Sequence, residues 1–217
     1  MNHKILTIDG ASGVGKGTIA KIIAKKNNWN LLDSGSIYRA FAIKIGDNNC
    51  SDEFLENSAK NLNLEFIEGQ ILLDGNDVSK IIRTEKVGNA ASKFAKLGFV
   101  RAALLQKQRD FATEKGLVAD GRDMATVVFP EAAYQVFLTA SVEIRAKRRL
   151  NQLQLDKKSS KIDNLFQEIV ESIGERDARD KNRKNSPLIP SEKALIIDTG
   201  KLSIEQVVVK ITNIMML

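Results

Sequence analysis

Residues 7–18 read TIDGASGVGKGT and lie between a short apolar run and a segment with helical periodicity. Residues 5–8 form the β-rich run before the glycines, and the isoleucines of residues 19–23 follow with helical spacing. From Gly10 the spacing is G-x-x-x-x-G-K, which is the Walker A arrangement. Glycines in such a loop let successive backbone N–H groups converge on one anion, and the next helix adds its positive dipole end. The stretch therefore predicts a strand, a phosphate-binding loop and a helix.

The residue after the lysine of this loop departs from the strict pattern. Gly17 stands where Ser or Thr usually follows Lys16, and Thr18 comes one position later. A hydroxyl at the usual position ligates Mg²⁺. We therefore expect Mg²⁺ to be held mainly by phosphates and water rather than by the loop.

Composition sets the broad class of the chain. It has 217 residues, 43% hydrophobic and 28% charged, which is the balance of a globular protein of one or two domains. No run of 18 apolar residues predicts a membrane span, and the early first strand leaves no room for a signal peptide. The single Cys50 cannot form an internal disulfide, so a reducing, cytoplasmic location is expected.

The net charge of +6 is compatible with a nucleic-acid ligand or with small polyanions. The basic residues cluster in residues 145–149 and 176–183, where acidic residues are mixed in from residue 175 onwards. The chain has no basic patch with interleaved aromatic residues of the kind that stacks on single strands. The distribution favours polyanionic small molecules, and a nucleic-acid-stimulated NTPase is the alternative of a different class.

Five apolar runs, mostly separated by helical patterns, predict an α/β fold with a parallel sheet. These runs are residues 5–8, 31–32, 117–119, 135–138 and 195–197. Residues 83–115 predict one long helix or two shorter ones with a break at Gly98, and residues 62–75 predict a small antiparallel meander inserted beside the sheet. Asp163 is expected to cap a helix that ends before Pro187, and Ser203 with Gln206 predicts a capping box.

Three further motifs carry charged residues at predicted strand ends or on one helix face. LLDSGSIYR, residues 31–39, places Ser34 and Arg39 after the second strand, where α/β sheets bind ligands. Residues 117–123 end a strand at Asp120, which resembles a Walker B acid, and continue with Arg122 and Asp123. A solvated surface arginine and a structural ion-pair turn are the alternative interpretations of these two motifs.

The third motif is ERDARDKNR, residues 175–183. Arg176, Asp180 and Arg183 have i, i+4 and i+7 spacing and share one helical face. They follow a polar, lysine-rich segment at residues 152–161, so a closing lid with phosphate-binding arginines is predicted. An exposed, salt-bridged helix is the alternative. The N-K-x-D and D-x-x-G motifs of a switch GTPase are absent.

These motifs together resemble bacterial cytidylate kinases, a family of nucleoside monophosphate kinases among the P-loop kinases. The resemblance rests on GASGVGKGT, LLDSGSIYRA, IRTEKVGNAAS, ADGRDMATVVFP and ERDARDKNR, in this order and spacing, and covers essentially the whole chain. The order Gly17-Thr18 is normal for nucleoside monophosphate kinases. Ala125 stands where the family usually has glycine.

The resemblance implies an α/β P-loop kinase fold: a five-stranded parallel sheet flanked by helices, a small antiparallel nucleotide-monophosphate-binding insert and a short lid. It implies a core of residues 1–33, 84–147 and 186–217, the insert at 34–83, and the lid with its flanking helices at 148–185. The implied reaction transfers the γ-phosphoryl group of ATP to CMP or dCMP with Mg²⁺. Another small P-loop kinase, acting on UMP, AMP or a small metabolite, is the nearest alternative. We expect a monomer that binds no nucleic acid and no membrane.

The resemblance also implies a role for individual residues. The ATP-binding residues it implies are Gly10, Ala11, Ser12, Gly13, Val14, Gly15, Lys16, Gly17, Thr18 and Arg148. The CMP-binding residues it implies are Ser34, Arg39, Ser92, Arg101, Asp123, Arg176, Asp180 and Arg183. The charge-neutralising catalytic residues it implies are Lys16, Arg39, Arg122 and Arg176, with Mg²⁺ held by phosphates and water near Asp120.

Overall fold

The computed structural model describes residues 4–67, 69–152 and 162–216. The chain divides into two compact units, which we call the sheet unit (Met1–Leu32 with Ala112–Leu217) and the insert unit (Asp33–Phe111). Most of the predicted lid segment, residues 153–161, lies outside the described residues. Among the described residues, no helix is both long enough and apolar enough to cross a membrane.

The elements alternate between strands and helices along most of the chain. In order they are β1 Ile5–Gly10, α1 Lys16–Asn27, β2 Asn30–Asp33, α2 Ser34–Ile45, α3 Asp52–Lys60, β3 Leu64–Ile67, β4 Gln70–Leu73, β5 Asn76–Asp77, α4 Glu85–Phe94, α5 Gly98–Arg109, β6 Leu117–Gly121, β7 Tyr134–Thr139, α6 Val142–Gln152, α7 Ile162–Asn182, β8 Leu195–Asp198 and α8 Ile204–Met215. A 3₁₀ turn covers Ile81–Arg83, and a π-helical turn covers Met124–Val128.

The main sheet has five strands in the order β2-β6-β1-β7-β8, which confirms the predicted five-stranded parallel sheet. β1 is central and pairs with β6 and β7 along its two edges, and all six of its residues are buried. This explains the continuous apolar run that precedes the glycines. The carboxyl ends of the neighbouring strands meet at one edge of the sheet, where ligands bind in α/β folds.

Helices α1 and α8 pack together and share one hydrophobic core with the central strands. Ile19 and Ile23 of α1 and Val207 and Ile211 of α8 are each no more than 2% exposed. Ser203 accepts a hydrogen bond from the backbone N–H of Gln206, whose side chain accepts from the Ser203 N–H. The predicted capping box is therefore confirmed. The predicted capping role of Asp163 concerns a side chain that the structure does not describe.

The insert unit contains the predicted meander, an antiparallel sheet in the order β3-β4-β5. Residues 83–115 form two helices, with Gly98 at the start of the second, which settles the two alternatives. Helix α2 packs on α4 and α3 packs on α5, and the rings of Phe41 and Phe94 meet edge to face at 5.2 Å. Through this packing, α4 and α5 belong to the same compact unit as α2 and the meander, and the unit ends at Phe111.

The turn before β6 depends on a glycine. Gly116 has a φ of +94°, and a Cβ at this position would lie 2.8 Å from the indole ring of Trp29. We expect Gly116→Ala to lower the free energy of unfolding by about 1–3 kcal/mol, since it combines a left-handed backbone with a clash. Urea denaturation followed by circular dichroism measures the change.

Gly174 provides the matched control within helix α7. A Cβ at Gly174 would meet no atom within 4 Å. Gly174→Ala should therefore raise the free energy of unfolding by about 0.5–1 kcal/mol, because alanine loses less backbone entropy in a helix. Unchanged stability in Gly116→Ala would contradict this account of the turn.

Candidate active site

The glycine-rich loop joins the end of β1 to the first residue of α1. Gly10, the last residue of β1, has a φ of +147°, and a Cβ here would lie 2.3 Å from the carbonyl oxygen of Leu138. Only glycine allows the backbone of β1 to approach β7 this closely and then turn. The loop therefore leaves the sheet at the carboxyl ends of two adjacent strands.

Three carbonyl groups of the loop accept hydrogen bonds from side chains around it. Lys16 Nζ donates to Ala11 O at 2.9 Å, Arg145 Nη1 to Ser12 O at 3.1 Å, and Thr199 Oγ1 to Val14 O at 3.0 Å. In a trans peptide the C=O and the next N–H point in opposite directions. The N–H groups of Ser12, Gly13 and Gly15 therefore point away from these donors, as a loop that collects amides around an anion requires.

Arg148, predicted from the resemblance to lie near ATP, contacts the loop and the turn after β8. Its Nη2 donates to Thr199 O at 2.7 Å, and its Nη1 donates to Thr199 Oγ1 at 3.0 Å and to Val14 O at 3.3 Å. Sequence analysis assigned no role to Thr199. Its buried hydroxyl nevertheless joins Arg148, Val14 and the carbonyl group of Thr139.

Lys16 is 7% exposed, and its Nζ lies 3.9 Å from Asp120 Oδ1 at the end of β6. The pKa of Lys16 is lowered to about 7, mainly by burial and next by the nearby positive charge of Arg122. Arg176 acts in the same direction, whereas the negative charge of Asp120 raises this pKa. An anion placed beside Nζ would favour the protonated form, so this lysine is suited to bind phosphate oxygens.

Two ion pairs connect the segment after β6 with the end of α7. Arg122 Nε lies 3.1 Å from Asp180 Oδ2, and Arg183 Nη2 lies 3.6 Å from Asp123 Oδ1. Arg183 also donates from Nε to the carbonyl oxygen of Ser186. Each segment therefore contributes one arginine and one aspartate to the two ion pairs.

The predicted helical face with Arg176, Asp180 and Arg183 lies beside the segment after β6. Burial on its own would raise the pKa of Asp180, but three nearby guanidinium groups outweigh it and lower the pKa. These groups belong to Arg122, Arg176 and Arg183. Arg176 Nη1 donates to Ser12 Oγ at 3.4 Å, so this face of α7 reaches the glycine-rich loop.

Sequence analysis assigned no role to Asp9, although it belongs to the stretch that predicted the loop. Asp9 is 2% exposed and accepts hydrogen bonds from the backbone N–H groups of Met124 and Ala125, both at 2.8 Å. The pKa of Asp9 is raised to about 7, because the effect of burial outweighs that of the two backbone hydrogen bonds, which lower it. The sequence signal was an aspartate between a buried strand and the first glycine of the loop.

Sequence analysis also did not predict an ion pair that joins α6 to α7. Arg145 donates from Nη1 and Nη2 to the two carboxylate oxygens of Asp177, at 3.1 and 2.5 Å. The side chains are 3% and 13% exposed. Because Arg145 also donates to Ser12 O, the pair links α7 to the loop.

The remaining predicted site residues belong to the insert unit. Ser34 Oγ donates to Gln108 Oε1 at 2.7 Å, and Arg39 Nη1 donates to Ile82 O at 2.9 Å. The guanidinium carbon of Arg101 lies 5.5 Å from the centre of the Tyr38 ring. Ser92 on α4 is 5% exposed. The structure therefore places these four predicted residues on three helices of one unit: α2, α4 and α5.

The residues near the loop are compatible with Mg²⁺ bound mainly through phosphates and water. In residues 4–67, 69–152 and 162–216, no group of three or more His, Cys, Asp or Glu side chains could hold a metal ion. Asp120 Oδ2 lies 3.4 Å from where a Cβ on Gly17 would be, so one carboxylate lies beside the first turn of α1. One carboxylate with phosphates and waters is an arrangement that Mg²⁺ commonly takes.

The site has the parts of a P-loop kinase. A glycine-rich loop follows the central strand and leads to a buried lysine, the neighbouring strand supplies a carboxylate, and a later helix supplies arginines. The family model described as cytidylate kinase matches residues 6–216, and the chain belongs to this family. A cytidylate kinase from Colwellia psychrerythraea is 49% identical over 215 residues, which cover 95% of this chain and 93% of that protein.

Two further proteins are similar to this chain. A cytidylate kinase from a Marinomonas species is 47% identical over 212 residues, covering 94% of this chain and 92% of that protein. Among solved structures, a shikimate kinase from Bacteroides thetaiotaomicron is 14% identical with a TM-score of 0.45, covering 98% of each chain.

Removing one partner of the buried Arg145–Asp177 pair should be strongly destabilising. Asp177→Ala leaves the buried guanidinium group of Arg145 without its carboxylate, so we expect a loss of about 3–5 kcal/mol in the free energy of unfolding. Glu175→Ala is the control on the same helix, because Glu175 is 75% exposed and its 3.4 Å pair with Arg179 contributes at most about 1 kcal/mol. Chemical denaturation of both variants measures the difference, and equal losses would contradict this assignment.

Proposed function

We propose that this chain transfers the γ-phosphoryl group of ATP to CMP or dCMP, giving ADP and CDP or dCDP, with Mg²⁺ as cofactor. Its membership of the cytidylate kinase family supports the substrate class. The observation that carries the proposal is the convergence of Lys16, Arg122 and Arg176 beside the glycine-rich loop. These cations provide the positive charge that two phosphate-bearing substrates require.

The glycine-rich loop is proposed to bind the phosphates of ATP. The N–H groups of Ser12, Gly13 and Gly15 are proposed to donate to phosphate oxygens, and Lys16, at the start of α1, is proposed to contact the β and γ phosphates. Arg148 contacts the same loop at Val14 and also donates to Thr199. We propose that the ATP-binding residues are Gly10, Ala11, Ser12, Gly13, Val14, Gly15, Lys16, Gly17, Thr18 and Arg148.

Cytosine is proposed to be recognised by groups that match its hydrogen-bonding edge. Its N4 amino group donates, and a carboxylate such as Asp123 accepts from it. Ser92 can assist at N4, and Arg101 can donate to N3 and O2. Uracil reverses the pattern at positions 3 and 4, so it would leave polar groups without partners, each costing about 1–3 kcal/mol.

The rest of the acceptor is proposed to be bound by charged and hydroxyl side chains. Asp180 can accept hydrogen bonds from ribose hydroxyl groups, and arginines suit the monophosphate because the guanidinium group donates two parallel hydrogen bonds. Ser34, Arg39, Arg176 and Arg183 complete the proposed set.

The reaction requires no strong base, because the attacking group is already a phosphate oxygen anion. Catalysis is then positioning and charge neutralisation. Lys16, Arg39, Arg122 and Arg176 hold and neutralise the phosphates, and protonated Nζ of Lys16 stays beside the transferred group. Mg²⁺, when bound near Asp120, supplies further positive charge to the phosphates.

Domain roles and cellular context are also proposals. Residues 34–83 are proposed as the nucleotide-monophosphate-binding insert, and 148–185 as the lid and its flanking helices, which would exclude water from the reacting groups. Residues 1–33, 84–147 and 186–217 form the proposed core. A monomer in the cytoplasm, binding neither nucleic acid nor membrane, agrees with small-molecule substrates.

The acceptor is tested by ADP release from Mg-ATP with CMP, dCMP, UMP, AMP, GMP or no acceptor. We expect turnover with CMP and dCMP, and a kcat/KM for CMP about 10²- to 10⁴-fold above that for UMP. Turnover with AMP or UMP in place of CMP would support another small P-loop kinase. ATP hydrolysis stimulated by RNA or DNA would support the nucleic-acid alternative.

Asp123→Asn tests the cytosine contact. The amide can donate to O4 of uracil, so we expect the ratio of kcat/KM for CMP to that for UMP to fall about 10²-fold. Asp198→Asn is the control, because Asp198 also ends a strand of the sheet but its side chain is exposed and accepts from Gly200 N at 2.8 Å. A ratio unchanged in Asp123→Asn would contradict the assignment.

Lys16→Ala tests the phosphate contact. We expect kcat to fall about 10²-fold or more, because a preorganised donor to the transferred group is removed. Lys21→Ala on the exposed side of α1 should keep the normal kcat. Steady-state assays at saturating ATP and CMP make the comparison, and near-normal kcat in Lys16→Ala would refute the role.

A further inference from the structure

The proposed reaction assigns no role to Asp9, although a carboxylate in the middle of a sheet is costly to bury. Asp9 is 2% exposed, and the preceding residue Ile8 is fully buried. The neighbouring residue on β6 is Gly121, which pairs with Asp9 in the parallel register. The hydrogen bonds of this carboxylate must therefore offset the cost of its burial.

Both oxygens of Asp9 accept hydrogen bonds from consecutive backbone N–H groups. Met124 N donates to Oδ1 and Ala125 N donates to Oδ2, each at 2.8 Å. Two bonds to adjacent amides fix both the position and the orientation of a backbone segment. The segment fixed here begins at Gly121 and contains Arg122 and Asp123.

The two side chains just before these amides form ion pairs with residues in the last turn of α7 and directly after it. Arg122 pairs with Asp180 at 3.1 Å, and Asp123 pairs with Arg183 at 3.6 Å. A shift of the segment would therefore change the geometry of four charged groups at once. Because Asp9 also precedes Gly10, one residue connects the start of the phosphate loop to this segment.

We infer that Asp9 is a positioning residue that sets acceptor specificity by holding the backbone of residues 121–125, so that Asp123 and Arg122 face the acceptor nucleotide. The inference rests on the proposed function, since Asp123 reads the base only if CMP is the acceptor. Asp9 acts through these two residues and does not itself contact substrate.

Asp9→Asn is the principal test, because the shape is kept and one acceptor oxygen becomes an NH₂ group. That NH₂ would face a backbone N–H, so one hydrogen bond is lost and the segment must move. We expect the KM for CMP to rise and the ratio of kcat/KM for CMP to that for UMP to fall, each about 10-fold.

Asp9→Glu is the second variant. It keeps the charge and both acceptor oxygens but adds one methylene group, which displaces the segment. We expect the CMP to UMP ratio to fall in this variant too, because the inference depends on position rather than on charge.

Thr7→Val provides the matched control on the same strand. Thr7 is fully buried in β1 and donates from Oγ1 to the carbonyl oxygen of Tyr134 at 3.4 Å, away from residues 121–125. This change perturbs the strand without altering a contact of residues 121–125. The ratio of kcat/KM for CMP to that for UMP should therefore stay within about twofold of the ratio of the unaltered enzyme. Thermal unfolding of all variants reports how much folded protein each assay contains.

The outcomes separate positioning from a purely structural role. A destabilised but correctly arranged enzyme would lose kcat equally with every acceptor, leaving KM and the CMP to UMP ratio unchanged, and that result would overturn the inference. Loss of the folded state in both Asp9 variants would also overturn the inference, because the carboxylate would then be required for folding. If the unaltered enzyme fails to use CMP, the proposed function itself fails, which is a distinguishable result.

Discussion

The constraint on which the site depends is the closeness of three positive charges, on Lys16, Arg122 and Arg176. Burial lowers the pKa of Lys16, and the neighbouring positive charges of Arg122 and Arg176 lower it as well, because like charges repel strongly in a buried setting. Carboxylates make the arrangement possible, with Asp120 beside Lys16 and Asp180 beside Arg122. A polyphosphate is the kind of anion that such a cluster binds, because it carries several negative charges along a short chain.

The fold produces this concentration of charge by bringing three distant parts of the sequence to one edge of the sheet. β1 delivers the loop and Lys16, and β6 delivers Asp120 and Arg122 beside it because the two strands are adjacent and parallel. α7 supplies the third part through Arg176 and Asp180. The buried carboxylate of Asp9 then holds the segment after β6 to the strand that bears the loop.

The elements that sequence analysis predicted were those with local signals. Strand periodicity, turn glycines and capping residues act within a few positions, so the sheet, the meander and the capping box were predictable. The ion pair of Arg145 with Asp177 was not, because the partners are 32 residues apart and no spacing within either segment indicates that the two pair with each other. The extent of the insert unit depends on packing between helices, which the sequence does not display.

The charge run on α7 has two faces with different environments. Arg179 forms an exposed i, i+4 pair with Glu175, as a solvated helix does. Arg176 and Asp180 lie on another face, where they contact Ser12 and Arg122. The spacing indicated a shared face, but only the fold shows that this face meets the loop.

The measurement that tests the charge cluster most directly is the proton uptake that accompanies Mg-ATP binding. Calorimetric titration at pH 8, in buffers of different ionisation enthalpy, gives the number of protons taken up. With a pKa of about 7 in the protein alone, Lys16 is largely neutral at pH 8, and the ionised phosphates of ATP should restore its proton. We expect uptake approaching one proton, and we expect Lys16→Met to abolish most of it. Binding without proton uptake, or equal uptake in Lys16→Met, would contradict the charge cluster described here.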